Sequence, residues 1–306
     1  MTDLLHNRAP VPTVGNEART ILRAWRAAFI GALLLAGIAA LNAHGPVHEQ
    51  ILLLNAELEQ HPDDPARLSR RGELLLLHGL PADAQKDFAR VATLRPNDIT
   101  NDFRLGQAGL ELGATNEAVL RLERFVNARP DSIPGHRSLF RALQLAGRPR
   151  EAAAQLEAAI ALSPDPLPDW YLDQARALQA AGAPAEDVLR PLDTGIVRLG
   201  PLPALELMGV EVEQQRGATD KALARLDALA ARAERKERWT ARRGDVLLKA
   251  GRTNEARIEF QSALRALDAL PDKLRRAWTA SELRQQIEAK LAGLPSATEP
   301  RTPSTP

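Results

Sequence analysis

The 306-residue sequence contains no cysteine. That excludes disulfide frameworks, thiol catalysis, iron–sulfur clusters and thiolate zinc sites, and it leaves the redox compartment open. Aromatic residues are scarce, with 1 Tyr, 4 Trp and 6 Phe, too few for a β-sandwich core or an aromatic substrate cleft. Charge of one sign is also lacking: 40 Lys+Arg oppose 39 Asp+Glu for a net charge of +1, so nucleic acid is not an expected partner. No P-loop, GxGxxG, GxSxG or HExxH occurs. The carboxylates fall three or four residues from basic ones, as Glu117 does from Arg121, or sit near them, as Glu255 and Glu259 do near Arg252. That is the pattern of solvated helix faces. No cofactor is implied, and the chain does not read as an enzyme. What is abundant is Ala, Leu and Arg, the residues of helices.

One long uncharged run stands near the start. Arg8, Arg19, Arg23 and Arg26 precede Ala27 to Leu41, AAFIGALLLAGIAAL, a basic n-region followed by an apolar h-region. As a helix the run covers roughly 23 Å, short of the roughly 30 Å hydrocarbon core of a bilayer. Residues 1–43 therefore read as a signal peptide cleaved after Ala43, with an uncleaved signal anchor as the alternative. In both cases the arginines stay inside and the remainder is exported, to the periplasm or cell envelope. Membrane contact is expected only through this segment, held by residues 27–43 if it is uncleaved.

The rest of the chain repeats. Gly72, Ala84, Phe88 and Pro96 return 34 residues later as Gly106, Ala118, Leu122 and Pro130, and a third copy keeps Ala152, Leu156 and Pro164. Gly244, Ala256, Phe260 and Ala263 recur in phase near the C-terminus, and Ala222, Leu226 and Leu229 mark a weaker copy. The small residues let two helices approach closely. The prolines end each second helix because they lack an N–H and clash with the preceding turn. Asn97, Asp131 and Asp165 are expected to supply the turn and capping chemistry.

This pattern resembles the tetratricopeptide repeat family, with its Trp, Leu-Gly, Tyr, Ala, Phe, Ala and Pro positions along a 34-residue helix-turn-helix. The resemblance implies an all-α fold, a right-handed α-solenoid of about six repeats. Their expected spans are 65–98, 99–132, 133–166, 167–202 with an inserted residue near Gly182, 203–236 and 237–270. The stretches AHGPVHEQI, HPDDPARLSRRGELLLLHG and RKERWTARRGDVLLKAGR also look like exported bacterial repeat proteins. A stack of helix pairs needs covered ends. Residues 44–64, with Val47, Ile51, Leu54 and Leu58 at helical spacing, are the N-terminal cap. Residues 271–294, with Leu274, Trp278, Leu283, Ile287 and Leu291, are a single C-terminal capping helix. Together these make 14 expected helices. The tail, residues 295–306, has the composition of a disordered segment.

Two candidate sites follow. The resemblance implies a concave face lined by the first helices, and its register puts there Arg70, Glu73, Phe103, Arg104, Gln107, Arg137, Arg141, Tyr171, Glu211, Arg242 and Lys249. Such an arginine-rich strip suits an extended protein or peptide segment bearing carboxylates, since guanidinium binds them bidentately. Ser69 and Glu73 stand where chaperone-binding members carry Lys and Asn, so chaperone-tail binding is not expected. The second candidate is a metal site: cleavage after Ala43 would leave an amino group beside the His44 ring, with His48 and Glu49 near enough in sequence to complete a chelate. A basic stretch from Arg232 to Arg252 reads as a solvated face or a contact for anionic headgroups.

Overall fold

A computed structural model of the chain describes residues 45 and 47–295. The apolar run, Ala43, His44 and the segment 296–306 lie outside the described residues. Among the described residues no helix is long and apolar enough to cross a membrane.

Helix α1 covers residues 47–60. It is followed by α2 (Pro65–Leu77), α3 (Pro81–Leu94), α4 (Ile99–Glu111), α5 (Thr115–Ala128), α6 (Ile133–Leu145), α7 (Pro149–Leu162), α8 (Pro168–Ala180) and α9 (Ala185–Leu199). Then come α10 (Pro203–Gln215), α11 (Thr219–Arg232), α12 (Glu237–Lys249), α13 (Thr253–Asp268), α14 (Asp272–Arg275) and α15 (Trp278–Ala292). The described residues are all-α and built of helical hairpins, and the chain divides into two compact units at Leu112/Gly113. The first contains α1–α4 and the second α5–α15.

Local chemistry sets the hairpin boundaries. Proline occupies the first helical position of α2, α3, α7, α8 and α10, where its missing N–H has no intrahelical partner to lose. Pro96, Pro130 and Pro164 follow one residue after the C-caps of α3, α5 and α7. The N-caps are Asp64, Asp98 and Ser132, whose side chains accept from backbone N–H groups of the first turn. They stand one residue beyond the expected Asn97 and Asp131, while α8 begins at Leu167 without a side-chain cap. Each hairpin turns on a glycine in the left-handed region, where a Cβ is strained. These are Gly79, Gly113, Gly147, Gly182, Gly217 and Gly251, at intervals of 34, 34, 35, 35 and 34 residues.

Inside a hairpin, helix contact is set by glycine facing a ring. A Cβ on Gly72 would stand 2.4 Å from Phe88 Cε1, and one on Gly244 would stand 2.5 Å from Phe260 Cε1. Phe88 and Phe260 are fully buried, as are Ala84, Ala118, Ala152, Ala222 and Ala256. The fourth hairpin inverts the arrangement, with Gly195 on the second helix against the Tyr171 ring of the first.

Part-buried polar bridges cross these contacts in register. Arg71 donates from Nε and Nη2 to both Asp87 oxygens at 2.8 and 2.6 Å and from Nη1 to Asn55 at 2.9 Å, joining α2, α3 and α1. Arg243, at the same repeat position, bridges Glu259 at 3.0 Å and Asp227, joining α12, α13 and α11. Glu259 therefore belongs to a half-buried ion pair with Arg243, whereas the sequence placed it on a solvated face near Arg252. Arg225 is 14% exposed between Asp193 at 2.6 Å and Glu206 at 3.2 Å. Burial pulls its pKa down, but the two carboxylates outweigh this and hold it above its ordinary value.

The C-terminal cap differs from expectation. Its helix breaks at Arg276–Ala277 into a short turn, α14, and the longer α15, so the described residues form 15 helices rather than 14. The sequence there has neither glycine nor proline to announce the break. Ala277 adopts extended backbone, and the change of direction brings Ala280, Ile287, Leu283 and Leu291 onto the core that holds Phe260, Ala263 and Leu267. Leu274 and Trp278, expected to pack, are 40% and 74% exposed.

Candidate functional site

The first-helix face was built in the sequence from positions two, five, six, nine and twelve of each repeat. In the first unit this places Arg70, Glu73, Phe103, Arg104 and Gln107. Arg70 is exposed and lies 3.8 Å from Glu73, and Arg104 binds the same carboxylate at 2.7 Å with only 20% of its side chain exposed. Glu73 is thus held between two guanidinium groups, and Arg104 is committed to it. Phe103 and Gln107 are half-buried.

In the second unit Arg137, Arg141, Glu211, Arg242 and Lys249 are exposed on α6, α10 and α12. The guanidinium carbon of Arg137 lies 4.9 Å from the centroid of Trp170 on the neighbouring first helix α8. This is within cation–π range and orients an otherwise mobile side chain. Tyr171 is a correction. It is fully buried and packs against Gly195, so it is core and lines no exposed wall. The cause is one residue of register: the turn between α7 and α8 is longer than its predecessors, and α8 starts at Pro168 where the sequence reading started that repeat at 167.

With the register read from the first-helix starts, the wall of α8 carries Asp173, Arg176 and Gln179 instead. Arg176 and Asp173 pair at 3.0 Å, and Gln179 bonds Gln215 of α10 at 3.1 Å. On α12 the same positions give Arg238, exposed over the Trp239 ring at 5.4 Å, together with Arg242 and Asp245. Arg176 is the residue that the register shift hid from the sequence; Arg238, at position two of the expected 237–270 repeat, was read only as part of the basic stretch. The interval between successive turn glycines, which rises to 35 at Gly182, was the signal that finds the shift. The face of the second unit is mixed in sign, with exposed arginines on α6 and α12 and a self-paired stretch on α8.

In the basic stretch from Arg232 to Arg252 part of the charge is paired. Arg235 pairs with Glu237 at 2.5 Å, Arg252 with Asp220 and Glu255 at 2.6 Å, and Arg243 lies in its part-buried bridge. As for metal ligands, His44 lies outside the described residues. His48 is exposed, and its ring centroid stands 5.8 Å from that of His78 at the end of α2. Among the described residues no group of three or more His, Asp or Glu side chains is placed to hold a metal ion.

Comparison with known proteins agrees with the geometry. A family profile described as a tetratricopeptide repeat-like domain matches residues 198–294. No curated protein matches the chain. Among solved structures, the C-terminal part of a tetratricopeptide repeat-containing protein from Cytophaga hutchinsonii superposes with a TM-score of 0.55 at 14% identity, over 76% of this chain and 95% of that one. A structure of Naa15/Naa10 bound to HypK-THB gives 0.52 at 18% identity, over 81% of this chain, which spans 37% of the matched chain. A tetratricopeptide repeat protein from Parabacteroides merdae gives 0.46 at 14% identity, over 81% and 94%. The segment 198–294 is thus tetratricopeptide repeat-like, and the likeness to the two structures with TM-scores of 0.55 and 0.52 shows a shared helical-hairpin fold.

Proposed function

We propose that the chain is a non-enzymatic protein-interaction scaffold that takes an extended protein or peptide segment, rich in carboxylates, along the first-helix face. The observation that carries this reading is the set of exposed guanidinium groups on α6 and α12, Arg137, Arg141, Arg238 and Arg242, projecting from rigid helices around a half-buried apolar floor that includes Leu207 and Met208. Guanidinium forks on a preorganised surface bind carboxylates with direction as well as charge, and apolar positions between them supply contact area. The neighbour with a TM-score of 0.52 comes from a complex of proteins, in keeping with such a role.

An array of peptides of about twelve residues, varied in acidic content, tests the reading. Retained sequences should be enriched in Asp and Glu, and their binding should weaken with salt. The pair Arg141→Glu, Arg242→Glu should lose them while keeping its helical circular dichroism. Retention without acidic enrichment, or unchanged binding by that pair, would overturn it. Export is part of the proposal and rests on residues 1–43. N-terminal sequencing from cell fractions should return a chain beginning at His44, or an intact membrane-held form if the segment is an anchor. A full-length chain in the cytoplasmic fraction would end the export reading.

A second reading, metal binding at the N-terminal end, is favoured by the approach of His48 to His78. Copper titration of the wild type against His48→Ala, His78→Ala decides it: equal affinity removes the idea.

A further inference from the structure

The cap helix α15 lies alongside α12, held there by the ion pair of Lys290 with Asp245. Between the starts of the two helices stands a surface depression of about 560 Å³. Its apolar lining is Trp239 from α12 and Leu283 from α15, both half-buried against the core of the second unit. Trp278, one residue before Thr279 on the same wall, is 74% exposed. Two indoles and a leucine therefore meet solvent at one corner of the molecule.

The polar groups there are of two kinds. Arg235 and Glu237 occupy each other at 2.5 Å, and Arg238 lies over the Trp239 ring at 5.4 Å. Glu282 differs from these. It accepts from Gln286 at 3.4 Å and pairs with no cation among the described residues. An aromatic surface with one carboxylate to spare, open to solvent, suits an extended chain. Polyproline II is the extended form that aromatic surfaces take up, because it has no internal hydrogen bonds to lose and is already ordered before it docks.

The chain itself supplies such a segment. After α15 come Pro300, Pro303 and Pro306, three residues apart, which is the period of polyproline II and sets the three rings on one side. Arg301 is the one cation of residues 296–306. The starting point is fixed, since the Pro295 carbonyl accepts from Arg257 of α13. Gln286 stands six residues before the end of α15, roughly 9 Å along the helix axis. Residues 296–300 span about 16 Å as polyproline II, enough to bring Pro300 back to the depression.

We propose that residues 300–306 dock on the depression between α12 and α15, with their prolines on Trp239 and Trp278 and Arg301 on Glu282. Glu299 and Arg301 cancel in charge, so apolar contact carries the docking, and it stands apart from the capture of an acidic partner along the first-helix face. A partner that needs Arg238 must displace the segment.

The chain has no cysteine, so Ser304→Cys provides a single thiol for a nitroxide on the full-length protein. Its 4 tryptophans, replaced by 5-fluorotryptophan and assigned through Trp→Phe variants, are the reporters. The nitroxide should remove the fluorine signals of Trp239 and Trp278, leave that of Trp170 on α8 sharp, and release both on reduction with ascorbate. Adding Pro300→Gly, Pro303→Gly should restore most of the lost intensity, and Arg301→Glu part of it. Neither variant can disturb the fold, because both lie beyond the last helix. Absence of a selective loss would overturn the proposal, as would a loss that the proline variant leaves unchanged. A third sample mixes nitroxide-bearing chains without fluorine and fluorinated chains without nitroxide. Loss of signal in that mixture would also overturn it, since the segment would then be docking on a second copy.

Discussion

At the residue scale, stability in this molecule turns on contacts that leave no room for error. The Gly72 Cα lies so close to the Phe88 ring that an added methyl overlaps it. Gly72→Ala should therefore destabilise the first unit by about 1–3 kcal/mol, read as a lower urea midpoint. Adding Phe88→Leu to it should cost less than the two single changes predict, since the smaller side chain removes the overlap. The part-buried bridges follow a different rule. Asp87 is 6% exposed at its side chain and accepts two bonds from Arg71, so Asp87→Ala strands a half-buried cation. Its expected cost is about 3–5 kcal/mol, whereas Arg71→Leu, Asp87→Leu together should recover most of that loss. Equal destabilisation by the single and double variants in chemical denaturation would show that packing, and not charge pairing, governs the position. Arg71 and Arg243 occupy equivalent places with equivalent partners, yet neither stood out in the sequence. Their carboxylates lie 16 residues away, across a hairpin turn, where spacing along one helix says nothing.

At the scale of the helix and its turn, the signals are local, and the sequence placed the prolines where they act but the caps one residue early. Proline at first positions, proline after C-caps and an acidic or hydroxyl N-cap all act within a few residues, which is why the hairpins of the first three repeats were legible. The turn glycines were the better ruler. Gly147 has φ +70° with nothing within 4 Å of where its Cβ would stand, so Gly147→Ala should cost about 1–2 kcal/mol through backbone strain alone, and Gly147→Asn less, as thermal melts would show. Helix starts also carry the acid sensitivity. Hydrogen bonds from Arg148 and Arg252 hold Glu151 and Glu255 below the ordinary carboxylate range, and the Arg67 backbone N–H does the same for Asp64. A carboxylate whose folded pKa lies below its unfolded one stabilises the fold above the unfolded value. That contribution disappears as pH falls through the folded value. The urea midpoint should accordingly stay level from pH 8 to 6 and drop below about pH 4, and Glu151→Gln, Glu255→Gln should shallow the drop.

At the scale of the whole molecule, hairpins cannot close their own apolar faces, so the end of the stack decides whether the second unit is a stable body. Helix α15 covers the last hairpin with Ala280 and Ile287, 3% and 1% exposed. Removing residues 271–306 should uncover Ala263 and Leu267 and convert cooperative unfolding into a broad transition with dye binding, measured by calorimetry and 8-anilinonaphthalene-1-sulfonate fluorescence. A sharp, unshifted transition would show that α13 closes the stack by itself. Trp278, at the start of α15 just after the break, stands 74% exposed.

The sequence by itself determined the period, the small and large residues that alternate at helix contacts, and the prolines that stop the second helices of the first three hairpins. Each of these acts through its own backbone or through a partner at fixed repeat spacing. Tertiary structure decided which way the side chains face once the spacing changed. A single extra residue before α8 moved Tyr171 from an expected exposed wall into the core and put Arg176 on the wall instead. Rotation along a helix is about 100° per residue, so a one-residue slip exchanges interior for surface.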